Sequence, residues 1–258
     1  MCYDIKASLE AQLNRARRKG DEKAIAEILE KLIPISDVPI YHASGFQHPK
    51  LLIYTNRSPD FPEVSIWGLV PHWIKDREHL QKFWNNTLNA RGETIFEKPS
   101  FRTSARSYRC IIYVSGFYEH HHFNNKTFPF FVYHKNNEPL ALAGLYSDWT
   151  DKETGEIINT FSIVTTEGNS MMSKIHNNPK LKGPRMPLIL PSELEDKWLG
   201  PVEDDLDVKE LQELIRAFPD DALEAYTVHR LRGKEYLGNT EATSIPFVYE
   251  ELHLNLSE

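Results

Sequence analysis

Apolar side chains in the first thirty or so residues recur at helical spacing. Ile5, Leu9 and Leu13 stand four apart, which lays them on one face of a helix over 5–19. Gly20-Asp21 then reads as a stop followed by a cap, and Ile25, Ile28, Leu29 and Leu32 mark a second helix ending before Pro34. The spacing predicts a helical hairpin over 5–33.

From about residue 38 to 190 the period shortens. LLIYT, VSIWGLV, CIIYVSGFY, PFFVYH, LALAGLY, FSIVTT and PLIL are β-type runs, punctuated by turn signals such as Asn136-Asn137 and Thr154-Gly155. No long helical stretch separates most neighbours, so curved, mostly antiparallel sheets, barrel-like or sandwich-like, are expected. Ser192 with Glu195 forms a capping-box pattern for a short helix through Trp198, and 206–218 returns to helical spacing. With no repeat and no low-complexity linker, the prediction is an α+β fold in a single domain over 1–258. It comprises the hairpin 5–33, a β-rich core 38–190, and helices and last strands over 192–258.

Composition narrows the class. The 258 residues are 40% hydrophobic and 26% charged, ordinary for a globular chain. No apolar stretch is long enough to span a membrane, and the charged first twenty residues lack a secretory h-region. Cys2 and Cys110 cannot make a disulfide framework, which fits a reducing cytoplasm. The formal charge of −7 argues against a general nucleic-acid binder. Two runs without acids qualify that: FRTSARSYRC holds Arg102, Arg106 and Arg109, and KIHNNPKLKGPR holds Lys174, Lys180, Lys182 and Arg185. They allow a locally basic face, with plain solvated charge as the ordinary alternative.

Five stretches carry candidate chemistry. Cys2 follows the initiator methionine, so loss of Met1 would leave a thiol and a free α-amine on one residue. Glu119 ends an aromatic strand, where desolvation raises a carboxyl pKa towards general acid/base use; a surface glutamate is the plain alternative. His176 precedes a polar loop and can move protons near neutral pH, although a lone histidine is more often structural. Asn89 and Arg91, two apart, share a face if extended and offer an amide and a phosphate clamp. Trp67 and Trp73 can stack unpaired bases, or simply fill a core. His120, His121 and His122 point to alternate faces of a strand, so no metal site is expected.

These motifs together are similar to a known pattern. MC at the start, WGLVPHW, NARGET, SGFYE, and IH followed by RMPLIL, in that order from residue 2 to about 190, resemble the SRAP family (SOS-response-associated peptidases, or abasic-site processing proteins). The resemblance implies one mixed domain with a single-stranded DNA channel across the active site. It implies that Met1 is lost and that Cys2 is the nucleophile that traps abasic sites. Asn89 and Glu119 would hold the new N-terminus and the reacting sugar, His176 would serve proton transfer at the deoxyribose, and Arg91 would grip a phosphate. Trp67, Trp73, Arg106, Lys182 and Arg185 are the further expected DNA contacts. No cofactor or metal is implied. The expected partner is abasic single-stranded DNA, met by a cytoplasmic monomer that joins the nucleoid when bound, with autopeptidase and weak lyase side activities.

The chain departs from the pattern in four places. Tyr3 and Asp4 stand where Gly-Arg is common, His120 stands for a tryptophan, YHASGF replaces a proline-glycine segment, and eight residues separate His176 from Arg185 instead of one or two. Two other readings compete: an N-terminal-nucleophile amidohydrolase acting in trans, and a non-catalytic DNA reader.

Overall fold

The computed structural model describes residues 2–36 and 39–252. Its strands are β1 (Asp4–Ala7), β2 (Ile40–Ser44), β3 (Lys50–Thr55), β4 (Glu63–Trp67), β5 (Asn89–Arg91), β6 (Arg109–Val114), β7 (Gly116–Phe123), β8 (Lys126–His134), β9 (Leu140–Thr150), β10 (Ile157–Glu167), β11 (Arg185–Pro187), β12 (Ile189–Leu190) and β13 (Leu223–Thr227). One sheet runs β13-β8-β7-β1-β2, antiparallel throughout. In the other, β10, β4, β3, β6 and β9 close into a ring because β9 pairs back onto β10. Strands β5, β11 and β12 are attached to that ring, β5 lying parallel to β10. The α+β expectation with curved, mostly antiparallel sheets therefore holds.

The unbroken apolar runs follow from burial on both faces. In β6, Cys110, Ile112 and Val114 enter a core shared with Ile5, Phe117, Phe128 and Val132 of the other sheet. The intervening Ile111 and Tyr113 enter a second core with Trp198 and Leu211 of the C-terminal helices. Strand β9 splits in the same way, with Leu142 in the first core and Ala143 in the second. A strand between two cores has no reason to alternate, and each such aliphatic side chain contributes about 1.5–3 kcal/mol by burial. Cys110 is one of these core residues.

Three local expectations need correction. Residues 4–7 form β1, not the first turn of a helix, because the DIKA segment gains a hydrogen-bonded neighbour on each side, β2 and β7. The helix starts afterwards as Leu9–Lys19, where Ser8 accepts from the Ala11 N–H, and ends at Gly20 with φ 64°. The next helix, Glu22–Ser36, runs past Pro34, where proline forfeits the one ladder bond that an N–H there would give to the Glu30 carbonyl and only two helical residues follow. Ser192 and Glu195 form no capping box; Glu195 is buried and accepts from Arg15, Arg18 and Tyr113. The capping box that exists is Asp204 with Asp207, opening Asp205–Glu213. No helix of the described residues is long and apolar enough to cross a membrane.

Candidate functional site at the meeting of the two sheets

Strand β1 determines where Cys2 lies. Asp4 is in register with Ser44 on one side and Tyr118 on the other, so Tyr3 and Cys2 continue alongside Glu119 and His120 of β7. Cys2 is fully buried, and its thiol faces the Asp4 carbonyl at 3.8 Å. Its own carbonyl accepts from Asn89 Nδ2 at 2.8 Å. Asn89 belongs to β5, aligned with Ile163 of β10, so the second sheet holds the start of a segment that the first sheet threads.

His176 caps the helix Ser170–Ile175 and is buried, as is Glu119. Its Nδ1 lies 4.0 Å from Glu119 Oε2, and 2.9 and 3.0 Å from the main-chain N and carbonyl O of Arg185. The other Glu119 oxygen accepts from the His120 N–H at 3.1 Å. Thus four of the predicted residues, Cys2, Asn89, Glu119 and His176, come together from distant parts of the chain.

Burial sets their protonation. It pushes the Glu119 carboxyl up to about 7 and pulls the His176 imidazole down to about 4. It also pushes the Cys2 thiol far up, and the nearby Glu119 charge acts in the same direction. At neutral pH the site therefore holds a thiol, a neutral imidazole and a carboxyl able to give or take a proton. Such a set suits acid/base chemistry more than attack by a preformed thiolate.

Asp4 and its partners were not visible as a group in the sequence. Asp4 is buried, and accepts from His42 Nε2 at 3.0 Å and Arg232 Nη2 at 2.9 Å; Tyr236 contacts the other His42 ring nitrogen at 2.7 Å. Burial alone would raise its pKa, but the His42 hydrogen bond and the Arg232 charge hold it below the usual carboxylate range. The acid at position 4 is thus neutralised within the fold. The only sequence signal was the close arginine pair in HRLRG, which brings Arg230 and Arg232 to the cleft of about 360 Å³ lined also by Tyr3, Glu119, His120 and His176.

The expected DNA contacts divide. Arg91 is exposed and, with Lys182, lines an adjoining cleft of about 310 Å³. Arg185 is buried, and its guanidinium is held by Glu93 at 2.7 and 2.9 Å and by the Thr165 carbonyl at 2.8 Å, so it braces the fold. Trp67 is wholly in the core, its indole N–H donating to the Leu88 carbonyl at 2.8 Å, and leaves no face for a base. Trp73 is half-buried against Phe83 and His79, outside both clefts. Arg106 is exposed and paired with Asp205 at 3.2 Å, also outside both clefts. Arg109 is buried against main-chain carbonyls of Trp198, Ala105 and Arg106, so 101–110 is not a continuous basic face.

The chain is 41% identical over 166 residues to the abasic site processing protein YoqW of Bacillus subtilis, a match covering 64% of this chain and 68% of that protein. It is 30% identical over 222 residues to the abasic site processing protein HMCES of Pongo abelii, covering 72% of this chain and 60% of that one. A crystal structure of a protein from Bacteroides thetaiotaomicron matches with a TM-score of 0.79 and 32% identity, over 96% of this chain and all of that one. The profile of the SOS response associated peptidase (SRAP) family matches residues 3–234, and the chain belongs to that family.

Proposed function

We propose that this protein processes abasic sites in single-stranded DNA, capturing the ring-opened aldehyde on Cys2 once Met1 has been removed. The observation that carries the reading is the grip of Asn89. Its Nδ2 holds the Cys2 carbonyl at 2.8 Å, while its buried Oδ1 has no hydrogen-bond partner among the described residues and can accept from an α-amine on Cys2. The names of YoqW and HMCES support the substrate class.

The α-amine acts first. With an ordinary pKa of about 7.7–8.0 it is partly neutral at pH 7, whereas burial keeps the thiol protonated. Its nitrogen adds to the aldehyde carbon to give a carbinolamine. Glu119, near half-protonated at neutral pH, donates a proton as the hydroxyl leaves as water, and an iminium remains. The Sγ then forms a C–S bond to the same carbon, the C=N electron pair returns to nitrogen, and the thiol proton passes to the Glu119 carboxylate. One aldehyde and one aminothiol thus give one thiazolidine and one water, with Glu119 restored. Ring closure within one residue carries the entropic advantage of an intramolecular step.

His176, neutral near pH 7, assists opening of the sugar by proton transfer. The iminium also acidifies the adjacent sugar carbon, which permits β-elimination and a weak lyase activity. Met1 leaves by hydrolysis of the Met1–Cys2 peptide bond, one water giving free methionine and the Cys2 α-amine. In this reading the protein works as a cytoplasmic monomer, on the nucleoid when DNA-bound. The test is an oligonucleotide with one abasic site, run with protein of known intact mass on a denaturing gel. Met1-free protein is expected to give an adduct at the summed mass less one water, and C2A none. An adduct of equal yield with C2A, or none from Met1-free protein, would sink the reading.

A further inference from the structure

The catalytic cleft has one wall that the chemistry above does not use. It is the loop of residues 177–184, between His176 and β11, and it is pinned at both roots. At the first, the Asn177 side chain donates to the His122 carbonyl at 2.9 Å and accepts from the His122 N–H at 2.7 Å. At the second, the Gly168 N–H donates to the Pro184 carbonyl at 3.0 Å, next to the Arg185 N–H that holds His176. Between the roots Lys180, Leu181 and Lys182 face solvent.

Leu181 is 36% exposed, and among the exposed large apolar side chains of the described residues it is the one lining the catalytic cleft. It also lines the adjoining cleft with Arg91, Lys182 and Glu167, and so divides the two. With Arg185 neutralised by Glu93, and Glu167 offsetting one of the two remaining cations, that second cleft keeps a positive balance. An apolar side chain beside the reacting groups, flanked by cations, matches a strand in which a base is missing. Such a strand offers an apolar gap between stacked neighbours with a phosphate on either side.

We propose that Leu181 enters the gap left by the missing base as the strand passes from one cleft to the other, with Lys182 and Arg91 on the flanking phosphates. This rests on the substrate reading above and deepens it. Selectivity then arises from space, because an intact base would need the volume that Leu181 takes.

Fluorescence anisotropy on two otherwise identical single-stranded oligonucleotides tests it, one carrying a tetrahydrofuran residue and the other a thymidine. Tetrahydrofuran lacks both base and aldehyde, so binding is read without chemistry. Wild type is expected to prefer the tetrahydrofuran strand by about tenfold, the scale of burying much of one leucine. L181A should bring the ratio to about one and L181M should keep it. K182A should weaken both strands alike and lower the salt slope by about 0.7. A ratio unchanged in L181A, or no preference in wild type, overturns the inference. Failure to crosslink with the preference retained overturns only the Cys2 chemistry.

Discussion

Nδ1 of His176 sits against the main chain of Arg185, 2.9 Å from its N and 3.0 Å from its carbonyl O. Glu119 Oε2 lies 4.0 Å from that same Nδ1. Two buried titratable groups thus share one small volume while their pKa values are displaced in opposite directions.

That opposition has a pH signature. Glu119 moves up from 4.5 to about 7, so the stability it contributes is full below about 4.5 and is lost as pH rises to 7. His176 moves down from 6.5 to about 4, so its contribution is lost as pH falls from 6.5 to 4. Their slopes cancel between about 4.5 and 6.5. In E119Q, denaturant melts should show stability falling with acid in that window by about 1.4 kcal/mol per pH unit; in H176N, falling with base by a similar slope. Flat profiles in both variants would count against these protonation states.

Asn89 positions Cys2 by a single donor. N89D replaces that donor with an acceptor facing the Cys2 carbonyl, and the adduct rate on an abasic oligonucleotide should fall about a hundredfold. Equal rates in a time-course gel would remove Asn89 from the machinery.

Arg185 is a brace. R185A leaves the Glu93 pair and the Thr165 carbonyl without their donor, and should destabilise by about 2–4 kcal/mol in chemical denaturation. The salt slope of oligonucleotide binding should stay unchanged. R91A should do the reverse, reducing that slope by about 0.7 with little effect on stability.

Glu195 joins the helix Leu9–Lys19 to the short helix Glu195–Leu199 through Arg15 at 3.1 Å and Arg18 at 2.5 Å. E195A strands the buried Arg15 charge and should cost about 3–5 kcal/mol, read as a lower denaturation midpoint. A loss below about 1 kcal/mol would show that Asp196 alone satisfies Arg15.

The sequence by itself determined the pattern of apolar runs, and through it the β-rich core, because strands buried on both faces carry no polar alternation to obscure them. It also exposed Cys2, Asn89, Glu119 and His176 as residue types whose chemistry is unusual for their surroundings. Position 4 shows where that stops. An aspartate beside the thiol reads as an added charge, yet it is paired with His42 and Arg232, the latter 228 residues further along the chain. Trp67 and Arg185 show the same limit from the other side. Each has the right chemistry for DNA, and each spends it inside the fold on Leu88, Glu93 and Thr165. Local periodicity also missed β1, because a four-residue strand is held by neighbours on both sides and not by any propensity of its own. Only the tertiary structure decided which polar groups face the cleft and which are consumed in holding it, since desolvation and pairing depend on neighbours remote in the chain.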